Sequence, residues 1–388
     1  MSNSTLRELV VCLSHSWGGL EHVSAQDALD HASAGMDVEV LCYKGSPIHE
    51  FLKKQPAGEK IRFHTIGFEP YNHFDYRLRR ILKAKVKSGT NIVHCHQPSV
   101  LGSVVPWLMF EKKVALFSTR HIMSGHNKKD PYHRYIYSRL NALFVMSESL
   151  RENVLKTHPI DPLKVKVLRL GLDLEKFDSK KVDAEELRQK WGADSKTVLV
   201  GLVGRLDPAK GQETFLRAAS VLRKNPAKKN LRFILVGEET RSRDVSAKGY
   251  SYRTHLENLV NELELSSSVV FAGYQKDIPQ VMKALDICVM PSREETFGLV
   301  AIEAMAMGKP VIVSKGGSSL EIVGEKEDHG ILVEPEDPED LSQKISMLVQ
   351  SSEMASDLAK KGRDFVQREY DRKKRTALTL ENYKAALS

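Results

Sequence analysis

The sequence predicts an α/β protein of two domains, each built on its own parallel sheet. Apolar, β-branched runs alternate with amphipathic helical segments along the chain, which is the pattern of βαβ units. The pattern restarts after a polar stretch at residues 170–196. The length of 388 residues also fits two domains of roughly 100–200 residues each.

The predicted strands are short runs rich in Val, Ile, Leu and Phe. In the first domain they are residues 9–14, 38–42, 61–65, 92–95, 114–118, 142–146 and 165–168. In the second they are residues 197–203, 233–236, 269–271, 287–290, 311–313 and 331–333. Helices are predicted at 185–190 and over 354–388, with a break near Tyr370. We therefore assign residues 1–171 and 372–388 to the first domain and 172–371 to the second.

Composition is that of a globular protein, with 41% hydrophobic and 28% charged residues, both near the usual values. No apolar run reaches the roughly 18 residues of a membrane-spanning helix. No secretory signal is evident at the N-terminus, so we predict a cytoplasmic location. The four cysteines lie in apolar runs without metal-type spacing and are predicted to be buried, reduced thiols: Cys12, Cys42, Cys95 and Cys288.

The positive charge is concentrated in one part of the chain. The protein carries +8, yet residues 51–130 hold fifteen Lys and Arg against five Asp and Glu, a net of +10. This asymmetry predicts an anionic partner for the first domain: nucleic acid, an anionic membrane surface or a phosphorylated acceptor. Residues 71–87 form a basic amphipathic pattern that could dock on such a membrane. The alternative is a crossover helix packed on the sheet with a solvated charged face.

The most informative stretch is residues 291–310, PSREETFGLVAIEAMAMGKP. Its apolar spacing predicts a helix that starts near Phe297 or Gly298, with Glu295 on the entering loop and Glu303 one to two turns inside. Backbone N–H groups at such a start can bind phosphate oxygens. Because carboxylates can accept hydrogen bonds from sugar hydroxyls, the combination indicates a nucleotide-sugar site.

Two other strand ends carry glycine loops. The first predicted strand runs into HSWGGLEH, where Gly18 and Gly19 allow a close backbone approach to an anion; a plain tight turn is the alternative. The first strand of the second domain runs into GRLDPAKG, where Arg205 and Lys210 offer two cations for phosphate. A solvated surface pair is the alternative there, and no Walker pattern is present.

Two histidines flank Cys95 in a predicted strand. We expect His94 and His96 to lie on opposite faces of that strand, one packed in the core and one facing the domain cleft. On that expectation they would not converge on zinc. His126, in a glycine-containing loop, is a candidate for the acceptor side.

Together these segments resemble the family-4 retaining glycosyltransferases of the GT-B fold, over nearly the whole chain. The resemblance lies in the order of the Gly-Gly loop, the R-x4-K-G loop and the E-x7-E pair. Residues 92–98 (IVHCHQP) resemble the family's D-I-V-H-x-H strand end, and residues 118–121 (STRH) its T-x-H. Residues 144–149 (FVMSES) resemble its V-x-x-S-E, and residues 170–177 (LGLDLEKF) its N-G-V-D-x-x-x-F linker.

The resemblance implies two facing Rossmann-like domains with a central cleft and a C-terminal helix returning to the first domain. It implies that Arg205 and Lys210 neutralise the donor diphosphate, Glu295 holds the donor sugar, and Glu303 binds the ribose. The other residues that it places near the donor are His121 at the sugar, backbone groups of Phe297, Gly298 and Leu299 at the phosphate, and Gly18, Gly19, Gly204 and Tyr274 along the nucleotide.

The implied reaction moves a hexose-type sugar from a UDP- or GDP-sugar to a hydroxyl with retention, without metal or other cofactor. From the basic segment at residues 71–87 we expect the acceptor to be a membrane lipid or a cell-envelope glycan precursor, as in lipopolysaccharide biosynthesis, with the enzyme on the inner face of the membrane. A small soluble acceptor is the alternative, and front-face attack and double displacement both remain open. We expect no nucleic-acid partner, since residues 51–130 lack an aromatic-basic pattern. Thr296 departs from the family's usual glycine.

Overall fold

The computed structural model describes residues 5–70, 75–224, 230–239, 251–293, 295 and 297–388. The chain forms two compact units. Unit 1 comprises Met1–Gly171 and Arg372–Ser388, and unit 2 comprises Leu172–Asp371. Among the described residues, no helix combines the length and the apolar character needed to cross a membrane. The four cysteines are buried and free, as predicted.

Unit 1 contains a seven-stranded parallel sheet in the order β3-β2-β1-β4-β5-β6-β7. Its strands are β1 Arg7–Val11, β2 Asp37–Tyr43, β3 Arg62–Ile66, β4 Ile92–Cys95, β5 Ala115–Arg120, β6 Ala142–Val145 and β7 Val165–Val167. Its helices are α1 Gly19–Ser33, α2 Pro47–Lys53, α3 Tyr76–Lys87, α4 Leu101–Leu108, α5 Pro131–Ser138, α6 Glu148–Thr157 and the C-terminal Arg372–Leu387.

Unit 2 contains a six-stranded parallel sheet in the order β10-β9-β8-β11-β12-β13. Its strands are β8 Val198–Val203, β9 Leu231–Val236, β10 Val269–Gly273, β11 Ile287–Met290, β12 Val311–Ser314 and β13 Ile331–Val333. Its helices are α7 Glu185–Lys190, α8 Gln212–Arg223, α9 Tyr252–Glu262, α10 Ile278–Ala284, α11 Leu299–Ala306, α12 Ser319–Val323, α13 Pro338–Gln350 and α14 Ser352–Glu369. The C-terminal helix of unit 1 is α15.

The central strands of each sheet are buried on both faces, which is why they read as continuous apolar runs. In β1, Leu9 and Val11 belong to one core cluster while Val10 belongs to another. In β8, Leu199 and Val200 divide between two clusters in the same way. The strand order reverses between β1 and β4 and between β8 and β11. Ligands of open α/β sheets bind at the carboxyl ends of strands at such points.

Helix α15 is joined to unit 1 by buried polar side chains. The Tyr383 hydroxyl donates a hydrogen bond to Glu8 Oε1 at 2.7 Å and contacts His94 Nδ1 at 2.7 Å. Because that hydroxyl has one proton, His94 Nδ1 is the donor to Tyr383. His31 Nδ1 lies 2.7 Å from Glu8 Oε2. Although burial raises it, the charge and hydrogen bond of His31 lower the pKa of Glu8 to about 2.

A second buried contact ties α15 to α1. Arg375 and Asp27 form a two-pronged ion pair, with Nη2 3.0 Å from Oδ2. Both side chains are almost fully buried. A buried charge needs a partner of this kind, so the last helix belongs energetically to unit 1 although it follows unit 2 in sequence.

Candidate functional site

The candidate site in unit 2 is formed by two loops that flank the reversal of strand order. Residues 204–211 follow β8 and residues 291–298 follow β11, and these strands are hydrogen-bonded neighbours. The Arg293 N–H donates to the Ala209 carbonyl at 3.0 Å. Gly211 has a φ of +76°, and a Cβ there would lie 2.0 Å from the Pro291 carbonyl oxygen. Only glycine permits the two loops to approach so closely.

Opposite charges meet between these loops. Lys210 Nζ donates to Glu295 Oε2 at 2.9 Å, and both side chains are partly buried. Arg205 lies apart from this pair, since its Nη2 donates to Asp207 Oδ2 at 2.5 Å and its side chain is 55% exposed. A hydrogen bond from the Ala209 N–H is the leading cause that lowers the pKa of Asp207. Two cations and one sugar-binding candidate therefore occupy the end of this sheet.

Helix α11 begins beside this pair. Its first residue is Leu299, and Gly298 is the N-cap with a φ of +61° and no capping side chain. That φ lies in the left-handed region that favours glycine, and a Cβ on Gly298 would lie 2.2 Å from Ile322 Cδ1, so the Ile322 side chain would have to move. The predicted start of the helix is confirmed. The first N–H groups of such a helix lack intrahelical partners and carry partial positive charge, which suits a phosphate.

A third loop, which the sequence analysis missed, holds Glu295 in place. It follows β12, and its Ser318 N–H donates to the Glu295 carbonyl at 3.2 Å. Gly317 has a φ of +54°, and a Cβ there would lie 1.9 Å from that carbonyl oxygen. The consecutive glycines at positions 316 and 317 could have indicated this loop from the sequence, because a glycine pair after a strand permits close backbone contact. Glu294 and Thr296 lie outside the described residues.

Glu303 lies in the second turn of α11 and is partly buried. In the described part of the chain its carboxylate has no hydrogen-bond partner. Burial raises the pKa of Glu303 to about 7. An unpaired, partly buried carboxylate is unfavourable in the empty protein. It is the state expected of a group that accepts hydrogen bonds from a ligand.

The loops after β8, β9 and β10 are also connected. Glu238 follows β9; its carbonyl accepts from the Leu206 N–H at 3.1 Å and its Oε1 accepts from the Tyr274 N–H at 3.3 Å. The Tyr274 side chain is 69% exposed, so its ring is available for stacking. Sequence reasoning identified Tyr274 but missed Glu238, which links the loops. Residues 240–250, which follow Glu238 and Glu239, lie outside the described residues.

In unit 1, the Gly18–Gly19 loop connects β1 to α1. The Gly18 N–H donates to Glu21 Oε2 at 2.9 Å, and Ser14 Oγ donates to Glu21 Oε1 at 2.6 Å. A Cβ on Gly19 would meet nothing within 4 Å. The space beside Gly19 is therefore open, as a ligand approaching the backbone would require.

His121 directly follows β5 and is 3% exposed. Burial is the main cause that lowers the pKa of His121 to about 3, so the imidazole is neutral. Neither ring nitrogen has a partner among the described residues. His121 therefore keeps unused hydrogen-bonding capacity, but it lies in unit 1, whereas Lys210 and Glu295 lie in unit 2. His126 is exposed in the loop that follows.

The expectation for His94 and His96 is wrong. Their rings are 4.2 Å apart and both are buried, because residues two apart in a strand share a face. His94 Nε2 lies 2.7 Å from Thr119 Oγ1. Burial keeps the pKa of His96 well below its usual value. No cluster of three or more potential metal ligands occurs within the described residues.

Helix α3 contains the basic segment and packs on the core as a crossover helix does, while docking of its charged face on an anionic surface stays a prediction. Leu78 and Leu82 are buried against the core, so the apolar stripe faces inward. The Arg79 guanidinium lies 5.2 Å from the Tyr76 ring and 5.3 Å from the Trp107 ring. Phe110, just after α4, is 90% exposed. The outer surface is thus basic and aromatic; residues 71–74 lie outside the described part.

Comparison with known proteins gives the class. Residues 183–365 match the family model of glycosyl transferases group 1, and residues 17–176 match that of glycosyltransferase family 4. With its two doubly wound units, the protein is a GT-B glycosyltransferase. The chain belongs to the family-4 glycosyltransferases.

Individual relatives agree with this assignment. A D-inositol 3-phosphate glycosyltransferase of Mycolicibacterium vanbaalenii is 28% identical over 352 residues, covering 83% of this chain and 76% of the relative. One from Saccharomonospora viridis is 25% identical, covering 96% and 90%. Among solved structures, a glycosyltransferase from Rickettsia africae has a TM-score of 0.85 at 21% identity and covers 99% of both chains. Anabaena HepE in complex with UDP has a TM-score of 0.81 at 20% identity, covering 98% and 100%. These structures support the fold.

Proposed function

We propose that the protein transfers a hexose-type sugar from a nucleoside diphosphate sugar, held at the carboxyl end of the unit 2 sheet. The observation that carries the proposal is the Lys210–Glu295 pair beside the uncapped start of α11. A cation and free N–H groups favour a diphosphate, while carboxylates accept hydrogen bonds from sugar hydroxyls. Glu303, unpaired among described residues, is then the acceptor for the ribose hydroxyls.

The proposed roles follow from charge. Departure of the nucleoside diphosphate builds negative charge, which Arg205, Lys210 and the start of α11 would stabilise. The Glu295 carboxylate would bind donor-sugar hydroxyls while Lys210 keeps it ionised. We propose retention by front-face attack, in which a leaving phosphate oxygen takes the acceptor proton. No metal is needed in this scheme, since protein cations supply the positive charge.

UDP is the first donor nucleotide to test, with GDP as the alternative. The HepE structures contain UDP, UDP and glucose, or UDP-glucose, which supports the choice for a protein of this fold. The exposed ring of Tyr274 would lie against the base. Purine and pyrimidine rings can both stack on an aromatic side chain, so stacking alone does not select between the two nucleotides.

For the acceptor we propose a lipid- or glycan-linked hydroxyl at an anionic membrane surface. The basic and aromatic outer surface of α3 and the exposed Phe110 support it, because such side chains bind the interfacial region. A small soluble acceptor is the alternative, and the names of the relatives favour a phosphorylated polyol in that case. We do not propose nucleic acid.

Transfer is tested with a panel of UDP- and GDP-sugars and mass detection of the released diphosphate. We expect one donor to be hydrolysed slowly without acceptor, and Lys210→Ala to lower the rate of that release about 100-fold. NMR of the product anomer then tests retention. If no sugar nucleotide is turned over or raises the melting temperature, the donor proposal is wrong.

Membrane association is tested by sedimentation with vesicles containing anionic lipid at low salt. We expect Phe110→Ser to reduce binding several-fold. Leu163→Ser is the matched control, because Leu163 is also exposed in unit 1, at 79%, but lies away from α3 in sequence. Equal binding by the two variants, or no binding by the wild type, would contradict the membrane proposal.

A further inference from the structure

The last residue of β5 is a buried arginine without an acidic partner. Arg120 is 4% exposed, and its Nε has no hydrogen-bond partner among the described residues. Its guanidinium bonds to the Tyr137 hydroxyl. No described Asp or Glu forms an ion pair with it. Burying a guanidinium without a counter-charge is unfavourable, so this position is suited to an anionic group.

Further cationic or protonatable groups surround the same point. Lys128 lies on the loop between β5 and α5, and its backbone N–H donates to the Thr157 carbonyl at 2.8 Å. His158 follows at the end of α6, with its ring 5.0 Å from that of Tyr137. It is 1% exposed, and its Nε2 has no partner in the described part of the chain. Three separate elements therefore bring these groups together.

Mutual repulsion among these groups is visible in their acid–base properties. Burial, and then the charges of Arg120 and Lys128, lower the pKa of His158 to about 3. Burial and the charge of Arg120 also lower the pKa of Lys128. Asp130, the carboxylate nearest to Lys128 in sequence, is exposed and pairs with His133 at 2.5 Å. The cluster thus contains positive charge that no described side chain neutralises.

We propose that Arg120, Lys128 and His158 form a binding site for a phosphoryl group in unit 1. A guanidinium presents paired N–H donors that match phosphate oxygens, and an ammonium adds a point charge. A dianion neutralises both cations at once, which chloride or a single carboxylate does not. Arg120 and His158 are buried, which suits a terminal phosphate better than a continuous nucleic-acid backbone, since the latter needs an open groove.

The proposed phosphoryl site lies on the opposite face of the sheet from His121. Arg120 and His121 are consecutive, and successive residues at the end of a strand point to opposite faces of the sheet. Arg120 points towards α5 through Tyr137, whereas the His121 ring lies near that of His96, with ring centroids 5.9 Å apart. The phosphoryl site therefore does not depend on the proposed donor chemistry in unit 2.

The test compares Lys128→Gln with Lys129→Gln. Both residues lie on the same loop, but Lys129 is exposed and has no described contact with Arg120. We expect inorganic phosphate to raise the melting temperature of wild type and K129Q above that in chloride of equal ionic strength. In K128Q this rise should fall at least fivefold, while the melting temperature without phosphate should increase. Any phosphate bound at the Arg205–Lys210 loop is common to K128Q and K129Q and does not contribute to the difference between them.

Three probes then identify the source of the phosphoryl group. Tighter binding of inositol 3-phosphate than of inorganic phosphate, lost in K128Q, would assign it to a phosphorylated polyol. Equal affinities would assign it to free phosphate. Sedimentation with phosphatidic acid vesicles, reduced in K128Q but not in K129Q, would assign it to a lipid headgroup. If no probe distinguishes K128Q from K129Q, the proposal is overturned, whatever the result of the donor assays.

Discussion

Replacement of Glu303 by glutamine measures how much the buried Glu303 carboxylate destabilises the folded protein. Burial raises the pKa of Glu303 from 4.5 to about 7. Each unit corresponds to about 1.4 kcal/mol, so ionising Glu303 in the folded protein costs about 3 kcal/mol relative to the unfolded chain. Residual solvent contact of this partly buried side chain reduces the expected value to about 2–3 kcal/mol.

The sign follows from proton binding. Between about pH 4.5 and pH 7 the folded protein holds the Glu303 proton more tightly than the unfolded chain does. The contribution of protonated Glu303 to the free energy of unfolding is therefore fully present below pH 4.5 and is lost as the pH rises through 7. Glu303→Gln removes this dependence. At pH 8 the variant should be more stable than wild type by about 2–3 kcal/mol, a difference that shrinks towards pH 5.

Urea denaturation of both proteins from pH 5 to pH 8.5 measures this difference directly. Glu262→Gln, at an exposed helical position of unit 2, is the control for the effect of the glutamine substitution itself. A stability difference between wild type and E303Q that does not change with pH would refute the reasoning. If the proposed function is right, E303Q should also bind nucleotide more weakly, because a neutral amide accepts hydrogen bonds from ribose hydroxyls less strongly than a carboxylate does.

Three other predictions concern single contacts. Gly19→Ala should change the free energy of unfolding by less than about 0.5 kcal/mol, because the added methyl enters open space. It should nevertheless lower kcat/KM at least about tenfold. Gly67→Ala is the control, since a Cβ there is equally uncrowded, and it should leave both quantities unchanged. Lys210→Ala should lower kcat about 100-fold with little loss of stability, and unchanged kcat would exclude a phosphate role. Arg375→Met should destabilise unit 1 by about 3–5 kcal/mol in urea denaturation, because the buried Asp27 carboxylate loses its partner; a smaller loss would show that the pair does not hold α15.

Much of the fold could be predicted because its signals are local. Each described strand overlaps a predicted one, and the central strands were the clearest because strands buried on both faces carry no polar alternation. The start of α11 was found because Gly298 interrupts an apolar helical pattern. The Arg205–Lys210 loop was found because cations and glycines follow a strand end.

The remaining features depend on contacts between distant residues. Tyr383 and His94 are 289 positions apart, and no sequence pattern pairs them. The glycines after β12 reveal their role only when the Glu295 carbonyl is placed beside them. The positive cluster around Arg120 is assembled from a strand, a loop and a helix end, each unremarkable alone.

The central claim is that the carboxyl end of the unit 2 sheet binds a nucleoside diphosphate. Isothermal titration of wild type and E303Q with UDP and with GDP at pH 8 tests it most directly. We expect wild type to bind one nucleotide per chain, and E303Q to bind it with at least about tenfold lower affinity. Absence of binding by both nucleotides, or equal affinity in the two proteins, would contradict it.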